Sequence, residues 1–170
     1  MNKQSTWNIK NILKEIGIGV LLLFVVSNVI SYIRQPTIKS DSIPLFIEDT
    51  IVEKKIDTTH YKGKPLLIHI WATWCPTCRL ENANIERISK QYKVITIAVN
   101  SGSNQEIQHY MKKNQFSFDV INDKDGKLAK SFHIEAFPTT FIYDARGKLT
   151  FTEVGYSTTA GLLARLKLIE

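Results

Sequence analysis

Apolar residues follow three rhythms along this chain. From Ile16 to Ile33 they form a stretch of eighteen residues without a charge, including Val20-Leu21-Leu22-Leu23-Phe24-Val25-Val26. Leu66-Leu67-Ile68-His69-Ile70 and Val94-Ile95-Thr96-Ile97-Ala98-Val99 are short, nearly continuous runs, the pattern of strands covered on both faces. Helical spacing takes over elsewhere. Pro76 to about Tyr92 reads as an amphipathic helix, as does Asn104–Asn114 with Ile107, Tyr110 and Met111 on one face. Thr158–Ile169 closes the chain with the stripe Leu162, Leu163, Leu166 and Ile169.

Shorter signals fill the gaps. Residues 47–56 read as a short strand or hairpin, leading into a loop over 58–64. Phe118–Ile121 reads as a short strand and 127–132 as a helical turn. Thr139–Tyr143 and Leu149–Val154 flank the turn Asp144-Ala145-Arg146-Gly147, a hairpin signal. In Asn122-Asp123-Lys124-Asp125-Gly126, counting back from the glycine puts Ile121 at the first calcium-ligand position, so the segment reads as a turn. The resulting order, β-α-β-α-β-β-α, predicts a parallel core finished by a hairpin.

Charge divides the chain unevenly. Residues 1–39 hold five Lys/Arg and one Glu, and residues 40–170 hold seventeen Lys/Arg and fifteen Asp/Glu. The globular part is therefore nearly balanced, with no basic run of the kind that binds nucleic acid. Lys3, Lys10 and Lys14 precede the uncharged stretch and Arg34 follows it. Eighteen residues lie at the short end of a spanning helix. A cleaved signal peptide competes with that reading, but no Ala-x-Ala-like cleavage site follows. The domain expectation is a cytoplasmic N-terminus over 1–15, a transmembrane anchor over 16–33, a tether over 34–42 and a folded domain over 43–170. The lysines before the span place its start in the cytoplasm and the domain outside.

Cys75 and Cys78 are the only cysteines, in Trp71-Ala72-Thr73-Trp74-Cys75-Pro76-Thr77-Cys78. The strand before and the helix after put Cys75 at a helix N-terminus, where free N–H groups and the helix dipole favour thiolate over thiol. A second cysteine one turn later points to thiol–disulfide exchange. As a mere staple the pair closes too short a loop to constrain the unfolded chain much. Zinc normally takes four ligands, and His60, His69, His109 and His133 are scattered singly. Covalent haem attachment needs His after the second cysteine, where Arg79 stands.

The element order, with Trp74-Cys75-Pro76-Thr77-Cys78 after the first core strand and Pro138 before the hairpin, resembles a thioredoxin fold. That fold is a central mixed β-sheet flanked by helices, here carrying an N-terminal transmembrane helix. The resemblance covers about residues 43–168. With the tether and the segment Phe137-Pro138-Thr139-Thr140-Phe141-Ile142, the chain is similar to the TlpA/ResA group of membrane-anchored proteins, and within it to the ScsD (suppressor of copper sensitivity) type.

The resemblance implies roles. Cys75 is the attacking thiol and Cys78 the more buried resolving thiol. Pro138 is the family's cis-proline facing the pair, and the Phe137 backbone meets an extended substrate. Trp74 belongs to the substrate-facing rim, with Trp71 packed beneath. Pro76 and Thr77 tune the redox potential, and the Thr77 hydroxyl is either a partner of a thiolate or a plain helix-start group. His69 stands where many thioredoxins have a buried acid. It accepts the Cys78 proton as a neutral imidazole, stabilises a thiolate as a cationic one, or is a core histidine satisfied by a backbone carbonyl. Glu81 and Glu86, further along the helix, are candidates to assist proton transfer, with an exposed helix face the favoured expectation.

The implied activity is disulfide exchange with periplasmic proteins, in the reducing direction, by an enzyme of the bacterial inner membrane. No cofactor beyond the cysteine pair and no metal is expected. A membrane reductant of the DsbD/ScsB kind supplies electrons, and a link to copper stress follows from the ScsD likeness. A Cu(I) carrier using the same thiols, a disulfide-forming oxidant and a docking scaffold are the competing readings.

Overall fold

The computed structural model describes residues 9–33, 41–59 and 61–170. His60, most of the expected tether and the first residues of the chain lie outside the described residues. The chain divides into two units, Met1–Arg34 and Gln35–Glu170.

The first unit contains one helix, α1 (Ile9–Ile33). It begins before the uncharged stretch and takes in Lys10, Lys14 and Glu15. Most of its described apolar side chains, Leu21, Leu22 and Leu23 among them, are exposed. Among the described residues no helix is long and apolar enough to cross a membrane. The expected transmembrane helix is thus found as a helix but not established as a span. Several side chains of the 16–33 stretch, Phe24 and Asn28 among them, lie outside the described residues.

The second unit is a five-stranded mixed sheet between helices. After the small hairpin β1 (Ile47–Asp49) and β2 (Lys55–Asp57) come β3 (Leu66–Trp71), α2 (Pro76–Ser89), β4 (Lys93–Val99), α3 (Asn104–Lys113), β5 (Asp119–Asp123), α4 (Lys127–Ser131), β6 (Thr139–Tyr143), β7 (Leu149–Val154) and α5 (Thr159–Lys167). The sheet order is β5-β4-β3-β6-β7. β3 pairs in parallel with β4 and antiparallel with β6, so it lies at the centre with all six residues buried.

Strand alternation splits β3 between two cores. Leu67 and Trp71 join Cys78, Ile85, Ile88, Leu162 and Leu166 on one face. Leu66, Ile68 and Ile70 join Ile97, Phe132 and Phe141 on the other. The N-terminal hairpin docks on the β5 edge: Ile51 N–H donates to the Val120 carbonyl at 2.9 Å, and Thr50 bridges Ile121. An otherwise bare sheet edge is partly covered in this way. Ser42 bridges Lys148, and the Ile43 N–H donates to the Gly147 carbonyl, which ties the entering chain to the β6–β7 turn.

Local signals set the helix starts. α3 begins with a full capping box, in which the Ser103 side chain and the Glu106 carboxylate each accept from the other's backbone N–H. α5 begins at Thr158, whose hydroxyl accepts from the Gly161 N–H. The segment expected as the turn 122–126 is shorter than that, because β5 runs on through Asp123. The Asp123 carboxylate then accepts from the Ala129 N–H at 2.8 Å and steadies α4.

Candidate active site

Cys75 is the N-cap of α2, in extended backbone, and its sulfur accepts from the Cys78 N–H at 3.2 Å. Pro76 follows at the first helical position, where its missing N–H costs least, and is exposed. The two sulfurs are joined as a disulfide, with Cα atoms 5.3 Å apart. Cys75 is 5% exposed and Cys78 is fully enclosed, so an attacker from solvent meets Cys75 first.

A rim surrounds Cys75. Trp74 is 53% exposed, donates from Nε1 to the Asn100 carbonyl and meets the Phe137 ring edge-on at 5.6 Å. Arg79 Nε donates to the Thr73 carbonyl, and the Thr73 N–H donates to Ser101 Oγ. These contacts fix the loop that carries Cys75. The Phe137–Pro138 bond is cis, and the Pro138 carbonyl accepts from the Gly155 N–H at 2.8 Å. Leu80, on α2, and Tyr156, after β7, are also exposed. The Tyr156 hydroxyl accepts from Asn84 Nδ2, which places it against α2. Thr77 is half-buried, and its hydroxyl makes no hydrogen bond to either sulfur.

Beneath the cysteines the side chains are polar yet fully enclosed. His69 is buried, and its Nδ1 lies 2.9 Å from Thr140 Oγ1, a side-chain hydroxyl and not a backbone carbonyl. Burial pushes its pKa down to about 3, and the Asn82 side chain offsets only part of that. His69 Nε2 and Asn82 Oδ1 are both buried without a hydrogen bond of normal geometry. Asn82 Nδ2 donates to the Tyr110 hydroxyl, which turns its Oδ1 toward the acceptor role. The contact with Thr140 leaves the donor and acceptor roles to the His69 tautomer, and burial favours its neutral form. Trp71 is buried as expected, between the Tyr110 and Phe118 rings.

Glu81 overturns its expectation. It is fully buried, not on an exposed helix face, and neither carboxylate oxygen has a hydrogen bond of normal geometry. Burial pushes its pKa up to about 8; the Ser157 backbone N–H pulls it down somewhat and the Glu153 charge adds to the rise. The helical stripe held the signal: Glu81 lies four residues before Ile85 and three after Cys78, both enclosed. Glu86 is ion-paired with Lys90 at 2.6 Å and accepts from Ser117.

This arrangement can perform thiol–disulfide exchange. It presents one accessible sulfur at a helix N-terminus, one enclosed sulfur behind it, and an enclosed carboxyl one turn further along. Among the described residues no group of three or more His, Cys, Asp or Glu converges as a metal cluster.

Fold and site together define a thioredoxin-like thiol–disulfide oxidoreductase. The chain belongs to the AhpC/TSA family, whose model matches residues 40–152. It is 30% identical over 128 residues to sporulation thiol-disulfide oxidoreductase A of Bacillus subtilis, covering 71% of this chain and 77% of that protein. It is 25% identical over 162 residues to thiol-disulfide oxidoreductase ResA of the same organism, covering 89% and 90%. The crystal structure of StoA from Bacillus subtilis matches with a TM-score of 0.63 at 26% identity, over 72% of this chain and 96% of that one. These relatives are of the ResA and StoA type. They do not carry the finer likeness to ScsD-type proteins or the copper link drawn from it.

Proposed function

We propose that this oxidoreductase is held at the bacterial inner membrane by residues 16–33 and reduces disulfides of proteins on the periplasmic side. The observation that carries the exchange chemistry is the enclosed Glu81 carboxyl behind Cys78, which serves exchange in either direction; the reducing direction follows from the resemblance to the TlpA/ResA group. Reduction begins when the Cys75 thiolate attacks a substrate disulfide, forming a mixed disulfide and expelling one substrate thiolate. Cys78 must then lose its proton to attack Cys75 Sγ and expel the second. A base with a pKa of about 8 is closely matched to a thiol whose ordinary value is about 8.5. Glu81 takes that proton, and His69 stays neutral beside Thr140.

The substrate lies as an extended segment along Phe137, which sits just outside β6 and has no backbone–backbone hydrogen bond among the described residues. Trp74 and Phe137 supply its apolar contact, Pro138 faces the cysteine pair, and Pro76 and Thr77 tune the potential. Each turnover leaves the enzyme as the Cys75–Cys78 disulfide. Two electrons then have to come from a membrane thiol reductant of the DsbD/ScsB kind. The anchor rests on the uncharged stretch and the lysines before it.

The deciding measurement is the equilibrium reduction potential of the full chain in detergent, against defined thiol buffers. A value near or below about −230 mV supports the reductase, and one near about −120 mV makes it a disulfide-forming oxidant.

A further inference from the structure

The charges of the second unit are sorted between its two ends. Cys75 lies at the end of the sheet where β3 finishes. The other end is built from the start of β3, the β6–β7 turn and the last turns of α2, α3 and α5. The Leu66, Lys93 and Tyr143 positions are in register there. Gly63 donates to the Ala145 carbonyl, and Leu168–Glu170 lie against the 144–150 turn around one shallow cavity. Ser117 holds Glu86 and Lys90 together, joining the chain after α3 to the end of α2.

This far end carries Lys62, Lys64, Lys112, Lys113, Lys148 and Lys167, all exposed. None of the six has an ion pair among the described residues. The other cations there have acidic partners: Lys54 and Lys93 share Asp119, Lys90 meets Glu86 and Arg146 meets Asp144. Asp41, Glu53 beside Lys54, and Glu170 are the carboxylates without an ion pair among the described residues, fewer than the six lysines. At the Cys75 end the exposed charges cancel, with Arg79, Lys124, Lys127 and Lys130 set against Glu48, Glu106, Asp125 and Glu135.

The chain enters the domain at that same basic end, where Ser42 bridges Lys148. Seven peptide steps separate Arg34 from Asp41, a reach of at most about 25 Å. The link therefore sets only an upper limit on how far the entry point can lie from residues 16–33, and the unpaired lysines share the entry point's end of the domain. Attraction between lysines and anionic headgroups acts within about 10 Å at 0.1 M salt.

We propose that the lysine-bearing end docks on the anionic lipid headgroups of the membrane that holds the anchor, which turns Cys75 away from the bilayer toward soluble substrates. The proposal rests on the anchoring read above for the contact to be permanent, and the test separates the two. Full-length protein is reconstituted in vesicles of phosphatidylcholine, with or without phosphatidylglycerol. A membrane-impermeant acylating reagent then reads each lysine by mass spectrometry.

Lys112, Lys113, Lys148 and Lys167 are expected to label roughly threefold or more slowly in the anionic vesicles than in the neutral ones. Lys124 and Lys127 are expected to label equally in both. The protection is expected to vanish at about 0.5 M salt, where screening shortens to about 4 Å. The combined Lys112→Glu, Lys113→Glu, Lys148→Glu and Lys167→Glu variant is expected to lose vesicle-dependent protection at its remaining Lys62 and Lys64 while keeping disulfide exchange. Flotation with neutral vesicles in high salt reports the anchor alone. Flotation with both lipids and equal labelling overturns the docking and leaves the anchor standing. Salt-sensitive flotation with anionic vesicles only upholds the docking and overturns the anchor. Protection of Lys124 and Lys127 in place of the far end, or flotation with neither lipid, overturns the docking.

Discussion

Glu81 and His69 share the enclosed layer under the cysteines, and burial moves each toward its neutral form. For the carboxyl that means a pKa raised to about 8; for the imidazole, one lowered to about 3. The consequences for stability run in opposite directions along the pH scale. Between an ordinary glutamate pKa near 4.5 and about 8, the folded chain keeps a proton on Glu81 that the unfolded chain has lost, so stability falls as pH rises through that window. Glu81→Gln is expected to flatten the fall and to make the protein roughly 2–5 kcal/mol more stable at pH 8 relative to wild type than at pH 4.5. Denaturant unfolding at the two pH values checks this; an unchanged slope would show that Glu81 ionises normally. The same variant is expected to slow release of the mixed disulfide. His69 acts the other way, its contribution being lost as pH falls from about 6.5 toward 3.

At the scale of the element, α2 is both scaffold and reagent. Its N-cap is the Cys75 sulfur, which accepts from the Cys78 N–H, so one atom caps the helix and carries the chemistry. Sulfur is a weak acceptor beside the oxygen of a usual N-cap. Cys75→Ser therefore keeps a capping acceptor while abolishing exchange, and Cys75→Ala loses both. The alanine variant is expected to unfold about 0.5–2 kcal/mol more readily than the serine variant, compared under reducing conditions. Equal stabilities would mean that the first turn of α2 is held by its packing on the sheet alone. Pro76 at the first helical position fits the same economy.

Across the whole molecule the sheet separates two cores, and only one of them touches the cysteines. Phe141 is fully buried on the other side, stacked on Phe132 at 5.5 Å. Phe141→Ala is expected to cost about 3–5 kcal/mol of stability, read by thermal or denaturant unfolding, with the reduction potential unmoved. A shift in potential would show that strain crosses the sheet to the disulfide. The edge-on contact of Trp74 with Phe137 likewise exists only in three dimensions, since it joins the β3–α2 loop to the turn before β6.

The strands over 66–71, 139–143 and 149–154 and the helix from Pro76 were legible in the chain, because short apolar runs and a proline after a capping residue carry their meaning locally. So was the cysteine pair at the start of a helix, which depends on spacing alone. The surroundings of Glu81 and His69 were not. A glutamate on a helix is normally solvated, and only the packing of α2 between the sheet and the Gly155–Ser157 segment encloses this one. Strand alternation placed His69 on the inner face, but which partner it meets depended on the register of β3 with β6, which brings Thr140 beside it. Periodicity and spacing along the chain specify the elements and the cysteine pair. Tertiary structure decided which ionisable groups lose their water, and with that which of them can move a proton.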